Sequence, residues 1–518
     1  MLRFTAKSLE KSTFKVATNG VQSDEQEMKT GLCQGSVLSV TLFLIAINTI
    51  VDCLPQGVHC FIYADDVALI AEGVSHAEVE AKLQSALNAI SQWQNETGFK
   101  ISAENSSTMI FKRTTARKIQ LSKLVLEGES IALNKTHKCL GVTIDQRLLL
   151  HKHVEEVAST CKQRLQFLRY VANTSWGGDR ATITKLYKAT ILEKMLYAAP
   201  MLSSIQNSTM RKLDTIHNAG LRAISGAFYT SPIASLHAES GIPELRVLIQ
   251  QRTAMLSAKL LANDDSTGAR EIEEHNRTPN TQEEELGTDN SSSSGELWGE
   301  TQTEHREPTI TRGNQLLEQL GMELPGIKVF AMPNCAPWDQ KTIPIDESLY
   351  HETKRTSNSM VIQKLFSKLK ATRYRYHQTL YTDGSRKDGK SGFSVVGENV
   401  TIRRRIDDTS SIYKTESEAV KEATNQDGAE HYLICTDSLS VISELEKKKI
   451  TSKWRDEMAM LFNRCNETRK HIDYCWVPSH IGIQGNELAD REAKASLEGN
   501  IDRTIKLNYK EIQTNIKN

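Results

Sequence analysis

One stretch of the chain decides how the rest can fold. Residues 263–310 hold 13 acidic residues against three arginines and no lysine, with EEE and SSSS runs and almost no apolar side chains. Such a segment cannot bury enough surface to offset the entropy of ordering it, so disorder is predicted there. The chain therefore reads as folded regions on either side of an acidic linker. Its 518 residues carry 64 basic and 64 acidic side chains. Outside the linker, 61 basic residues stand against 51 acidic ones, so the folded parts are mildly basic. That balance permits a nucleic-acid partner without establishing one.

Hydrophobic residues make up 39% of the chain and the mean hydropathy is −0.43. These values exclude a membrane-spanning protein, a collagen-like fibre and a small disulfide scaffold. The nine cysteines are odd in number and scattered, with no CxxC. They argue for a reducing compartment without a structural zinc. No signal peptide is recognisable at the start. The longest apolar run, residues 37–51, is too short to span a bilayer and reads as a buried helix. An intracellular location, cytoplasm or nucleus, is expected, with no membrane contact.

Residues 59–71, HCFIYADDVALIA, place two apolar, partly β-branched runs around Asp65 and Asp66, the pattern of a hairpin with carboxylates at its tip. Residues 76–93 look helical, and residues 108–112 and 139–144 look like strands. From residue 151 the period becomes helical. Val154, Val157, Ala158, Cys161, Leu165 and Leu168 share one face, as do Leu213, Ile216, Gly220, Leu221 and Ile224. Residues 353–382 form a basic run that reads first as a solvated helix face before a domain and second as a phosphate-binding patch. From 379 onward, strands and helices alternate as a mixed α/β domain.

That last domain carries the clearest chemistry. Asp383 ends the strand LYTD, Asp437 ends LICTD, Glu416 starts a helix and Asp490 lies in the last helix. Four converging carboxylates raise each other's pKa and are unstable without cations. Hard oxygen ligands suit Mg²⁺ or Mn²⁺. Two such ions, roughly 3.5–4 Å apart in sites of this kind, can activate water and stabilise a leaving oxygen in phosphodiester cleavage. His480, in PSHIGIQGNELAD, could shuttle a proton near neutral pH.

The segments YTDGS, TESEAV, CTDSLSVI and WVPSHIGIQGNELADREAK together resemble a type 1 ribonuclease H domain, particularly those of non-LTR retrotransposons. The resemblance implies that Asp383, Glu416, Asp437 and Asp490 hold two Mg²⁺ ions, with Mn²⁺ as substitute, and that His480 is the catalytic-loop histidine. It places Gly384, Ser385, Ser438 and Asn486 near the substrate. Glu418 stands beside Glu416. Two residues apart on a helix point about 200° apart, so only one faces the pocket. The family pattern selects Glu416.

GLCQGSVLSVTLFLIAIN and FIYADDVALIA resemble the Gln-Gly motif and catalytic hairpin of a jockey-like retroelement reverse transcriptase. In that likeness Gln34, Gly35, Tyr63, Asp65 and Asp66 form a vestigial polymerase site. Cys33 and Val40 stand where the family usually has Pro, Thr49 where it has Asp, and Ser107 where it has Lys. A polymerase needs a further aspartate from an upstream apolar strand, and Asp24 does not lie in one. No polymerase activity is therefore expected from this chain alone.

The expected architecture is α/β and α+β multidomain. A partial palm covers residues 1–150 and a helical thumb or connection region 151–262. The disordered linker follows at 263–310, then a basic connector at 311–378. A ribonuclease H domain with a mixed five-stranded sheet covers 379–500. The expected activity is metal-dependent endonucleolytic hydrolysis of the RNA strand of RNA–DNA hybrids, with RNA and DNA as partners. The alternatives are a weakly catalytic nucleic-acid-binding remnant, or an RNA-directed DNA polymerase if the true chain starts upstream.

Overall fold

The computed structural model describes residues 13–27, 31–32, 35–111, 124–173, 175–262, 309–320, 343–350, 358–447, 453–502, 505–507 and 509–517. The acidic segment expected to be disordered lies outside these residues, except 309–310. The chain divides into two compact units after Glu156.

In the first unit, helix α1 (Val37–Asn48) precedes a hairpin of β1 (Val58–Tyr63) and β2 (Asp66–Ala71). Alternation along both strands turns Ile62, Val67 and Leu69 toward a core of Ile50, Leu87, Ile90 and Trp93. The last three belong to helix α2 (His76–Thr97), which Ser75 caps by accepting from the Glu78 amide at 3.2 Å. The opposite hairpin face leaves Phe61, Tyr63 and Ile70 exposed. The strand expected at 139–144 is instead the second half of a hairpin, β3 (Thr136–Cys139) and β4 (Val142–Asp145). Leu140 and Gly141 both take positive φ and turn the chain between them. Of the strand expected at 108–112, Thr108 alone among the described residues pairs, with Leu133, extending the Ser107–Ala132 pair, and residue 112 lies outside the described residues.

Helix α3 (His151–Val171) runs through the division. The second unit continues with α4 (Arg180–Tyr187), α5 (Asn207–Ser225), α6 (Ile233–Ser240) and α7 (Leu245–Leu261). The predicted stripe of α5 is its buried face. Gly220 lies against the Tyr187 ring, where a Cβ would come within 2.3 Å of a ring carbon. Tyr187 shares a 2.5 Å hydrogen bond with His217 Nδ1 in the same core. Helix α8 (Thr309–Gln319) and the C-terminal α14 (Tyr509–Lys517) pack on α7 through Leu317, Ile512 and Ile516.

The remaining elements build one mixed sheet. In chain order they are β5 (Ile345–Asp346), α9 (Ser359–Thr372), β6 (Gln378–Lys387), β7 (Lys390–Val396), β8 (Thr401–Ile406), α10 (Ile412–Thr424), β9 (His431–Thr436), α11 (Leu439–Glu446), α12 (Lys453–Glu467), β10 (His471–Trp476) and α13 (Gln484–Ser496). The strand order is β5-β10-β9-β6-β7-β8. β6, β7 and β8 form an antiparallel meander, and β9, β10 and β5 add in parallel. The sheet thus has six strands and not the expected five, because Ile345–Asp346 pairs with Tyr474–Cys475. β9 is buried along almost its whole length, which explains why YLIC reads as an unbroken apolar run. The basic stretch before the sheet also hides apolar anchors. Ile362 and Phe366 of α9 are buried in the same core as Leu380 and Ile434. No helix among the described residues is long and apolar enough to cross a membrane.

Candidate active site

The site lies where the middle of β6, beside the carboxyl end of β9, meets the first turns of α10 and the body of α13. Asp383 does not end its strand as expected, because the antiparallel pairing with β7 carries β6 on to Lys387. A parallel pair aligns Thr382 with Thr436, so Asp383 and Asp437 emerge side by side from neighbouring strands. Asp383 is 8% exposed and its Oδ1 accepts from the Gly384 amide at 2.9 Å. Gly384 lets α10 come close: a Cβ there would sit 2.4 Å from Thr415 Oγ1 and 2.7 Å from the Glu416 nitrogen. Asp437 is fixed from two sides. Its carbonyl accepts from Trp476 Nε1 at 3.1 Å, and Asn486 Nδ2 donates weakly to its Oδ2 at 3.4 Å.

Glu416 and Glu418 part as the helical geometry requires. Ser438 Oγ donates to Glu416 Oε2 at 2.5 Å. Glu418 instead forms a buried ion pair with Lys414 at 2.7 Å, both side chains under a tenth exposed. Asp490 is paired with Lys494, one turn further along α13, at 2.7 Å. Asn486 is buried, and its Oδ1 has no hydrogen-bond partner among the described residues.

The electrostatics follow from burial and crowding. Desolvation first, then Asp437 and Asp490, push the Asp383 carboxyl up to about 8. Burial raises Glu416 as well, against the Ser438 hydrogen bond, and Asp437 adds to the rise. Burial also raises Asp437, while the Asn486 amide and the His480 ring pull it back. Three carboxylates thus hold protons more tightly than carboxylates in water do.

His480 sits on the loop between β10 and α13. It takes a positive φ of 52°, and its side chain is 62% exposed. Its Nδ1 is 3.8 Å from Glu487 Oε2. Gly384 and Ser385 are half-buried on β6. Ser438 is buried, with its hydroxyl engaged by Glu416 and by the Val441 amide that it caps at 3.4 Å.

Among the described residues, no set of three or more His, Cys, Asp or Glu side chains is gathered tightly enough to hold an ion as it stands. The donors nevertheless suit a divalent cation: crowded carboxylates with raised proton affinity, and an orphaned buried amide oxygen beside them. The Lys494 ammonium is the positive charge paired with Asp490 in this arrangement.

In the first unit, Asp65 and Asp66 stand at the tip of the β1–β2 hairpin, both exposed, with Tyr63 paired opposite Asp66. Ala64 carries the turn in a left-handed conformation, φ 53°, which is uncommon for a residue with a Cβ. Gly35 has φ 90° before α1, and Gln34 lies outside the described residues. Asp24 lies between short strands, exposed.

Residues 375–498, which contain all four carboxylates and His480, match the RNase H family. Residues 2–144 match the family of reverse transcriptases (RNA-dependent DNA polymerases). The chain carries a reverse transcriptase domain and an RNase H domain. Its relatives are jockey-like retrotransposon proteins. It is 24% identical over 243 residues to the RNA-directed DNA polymerase from mobile element jockey of Drosophila melanogaster, covering 46% of this chain and 26% of that protein. It is 22% identical over 263 residues to the jockey polymerase of Drosophila funebris, covering 50% and 28%. It is 27% identical over 173 residues to a Pol polyprotein from the type-1 retrotransposable element R1 2 of Nasonia vitripennis, covering 33% and 42%. The alignments to the two jockey proteins thus span roughly a quarter of their length.

Proposed function

We propose that the chain is a metal-dependent endonuclease that hydrolyses the RNA strand of RNA–DNA hybrids. The observation that carries this reading is the convergence of carboxylates within the stretch that matches the RNase H family: Asp383 and Asp437 leave neighbouring strands side by side, Gly384 brings the Glu416 backbone against Asp383, and Asn486, one turn before Asp490 on α13, reaches Asp437. These four carboxylates would hold two Mg²⁺ ions, or Mn²⁺ in their place. Bound there, the ions supply a water of lowered pKa and positive charge for the leaving oxygen. Ser438 orients Glu416, and Asn486 orients Asp437. His480, exposed and on a separate loop, gives a proton to the departing 3′-oxygen. In this reading Gly384 and Ser385 would contact the substrate strand, whose 2′-hydroxyl separates RNA from DNA.

The test is cleavage of labelled RNA–DNA hybrid, double-stranded RNA and double-stranded DNA by the purified chain in Mg²⁺. Cutting of the hybrid's RNA strand alone supports the reading. Folded protein that binds nucleic acid but cuts nothing in Mg²⁺ or Mn²⁺ replaces it with a nucleic-acid-binding remnant.

A second reading is RNA-directed DNA synthesis. It is favoured by the reverse transcriptase match and by the paired aspartates at the strained turn after Ala64. Primer extension on an RNA template decides it: dNTP incorporation lost in Asp65→Asn supports it, and none from a chain that cuts hybrids removes it.

A further inference from the structure

We infer that helix α9, which lies upstream of the RNase H match, belongs to the nuclease as a clamp on the catalytic loop, with Gln363 as the positioning residue. This rests on the reading of His480 proposed above.

In the loop between β10 and α13, His480 takes a left-handed φ of 52°, uncommon for a residue with a Cβ, and Gly482 takes φ 83°, a region glycine enters freely. A left-handed residue with a Cβ persists only where its surroundings over-determine it. Two side chains hold this loop from opposite directions. From α13, Glu487 Oε1 accepts from the Gly482 amide at 3.2 Å while its other oxygen faces the His480 ring. From α9, Gln363 Nε2 donates to the Ile481 carbonyl. The approach leaves no spare room: a Cβ at Gly482 would stand 2.5 Å from Gln363 Nε2. The residues gripped are therefore the two that follow His480.

The helix can serve as a rigid support because the face adjoining Gln363 is buried. Ile362 and Phe366 sit in the core of the sheet, and the Phe366 ring meets Tyr381 edge-on at 6.3 Å. Tyr381 in turn lies against Gly485, where a Cβ would come within 2.1 Å of its ring. Gly485 directly precedes Asn486, the partner of Asp437. α9 thus touches the loop directly through Gln363 and the start of α13 through one aromatic side chain. Asn358 caps the helix by accepting from the Met360 amide at 3.2 Å, which fixes the turn just before Gln363.

The experiment uses the full chain carrying Gln363→Met, Gln363→Lys or, as control, Met360→Ala at an exposed position of the same helix. Methionine keeps the length of the side chain and removes the donor, whereas lysine restores a donor. Loss of one neutral hydrogen bond predicts a fall in kcat of about three- to tenfold. KM should stay within about twofold and the thermal midpoint should be unchanged. Amide exchange at Gly482 should quicken, and Gln363→Lys should recover most of the rate. Gln363→Met with wild-type kcat and wild-type exchange at Gly482 would overturn the inference. So would a rate loss matched by Met360→Ala. If the wild-type chain cuts no hybrid, the nuclease reading falls, and the exchange measurement alone decides the clamp.

Discussion

Ser438 serves two partners at once: its hydroxyl donates to Glu416 at 2.5 Å and accepts from the Val441 amide at the start of α11. The residue that caps one helix therefore aims a carboxylate on another. Ser438→Ala should cost about 1 kcal/mol of stability through the lost cap. It should lower hybrid cleavage about tenfold, because Glu416 loses its fixed orientation. Ser438→Thr, which keeps the hydroxyl, should restore most of both. Thermal melting and cleavage rate measured together check this, and a variant that loses stability alone would remove the link to Glu416.

Glu416 and Glu418 should fail in opposite ways. Glu418→Gln leaves the buried Lys414 ammonium without its closest carboxylate, and should destabilise the fold by about 3 kcal/mol. Glu416→Gln removes a charge that burial and Asp437 already disfavour. It should leave stability equal or higher while lowering cleavage by about two orders of magnitude or more. Urea unfolding set beside activity distinguishes them. Equal destabilisation by both substitutions would contradict the assignment of faces.

Divalent cations should stabilise the domain, since they bind the folded state alone. In EDTA the wild-type melting midpoint should be lower than in Mg²⁺. Asp437→Asn should relieve repulsion on Asp383 and Glu416, raising the midpoint in EDTA and shrinking the response to Mg²⁺. Melting curves with and without metal test both statements. An undiminished Mg²⁺ response in Asp437→Asn would place the ions elsewhere.

The helical region should be acid-sensitive. Burial, and to a lesser extent the neighbouring His237, depress His217 to about 4, against a backbone hydrogen bond to Pro243 that raises it. Above pH 6.5 the ring is neutral in both folded and unfolded chains, and its contribution is intact. As pH falls from 6.5 toward 4, the unfolded chain takes up a proton that the folded chain refuses. The loss reaches about 3 kcal/mol at the lower end. Chemical unfolding followed from pH 7.5 to 4 should show this slope, reduced in His217→Gln. An identical slope in the variant would assign the acid sensitivity to other groups.

Sequence reasoning works here where one local pattern has one physical solution. The alternation around Asp65 and Asp66 can bury only one face, and it is the hairpin found. The α5 stripe from Leu213 to Ile224 is the face packed inward. The angle between Glu416 and Glu418 follows from helical pitch alone. What stays hidden depends on distant partners. Ile345 and Asp346 carry no strand pattern, since two residues are too few, and only the β10 edge makes them a strand. Ile362 and Phe366 sit among Lys364, Lys368 and Lys370, so charge masks their burial. Gln363 has no local signature, because its partner is 118 residues away. Ser438, expected only near the substrate, carries no sequence signal for its hydrogen bond to Glu416, whose position 22 residues earlier on another helix becomes adjacent only in the fold.

The most direct test is single-turnover cleavage of a labelled RNA–DNA hybrid by the full chain in Mg²⁺, beside Asp437→Asn. Asp437 is the right target because it emerges beside Asp383, is held by Asn486, and adds to the rise at both Asp383 and Glu416. The account predicts cutting of the RNA strand by the wild type, and a variant that melts no lower but cleaves at least about a hundredfold more slowly. Cleavage by Asp437→Asn at the wild-type rate would contradict it.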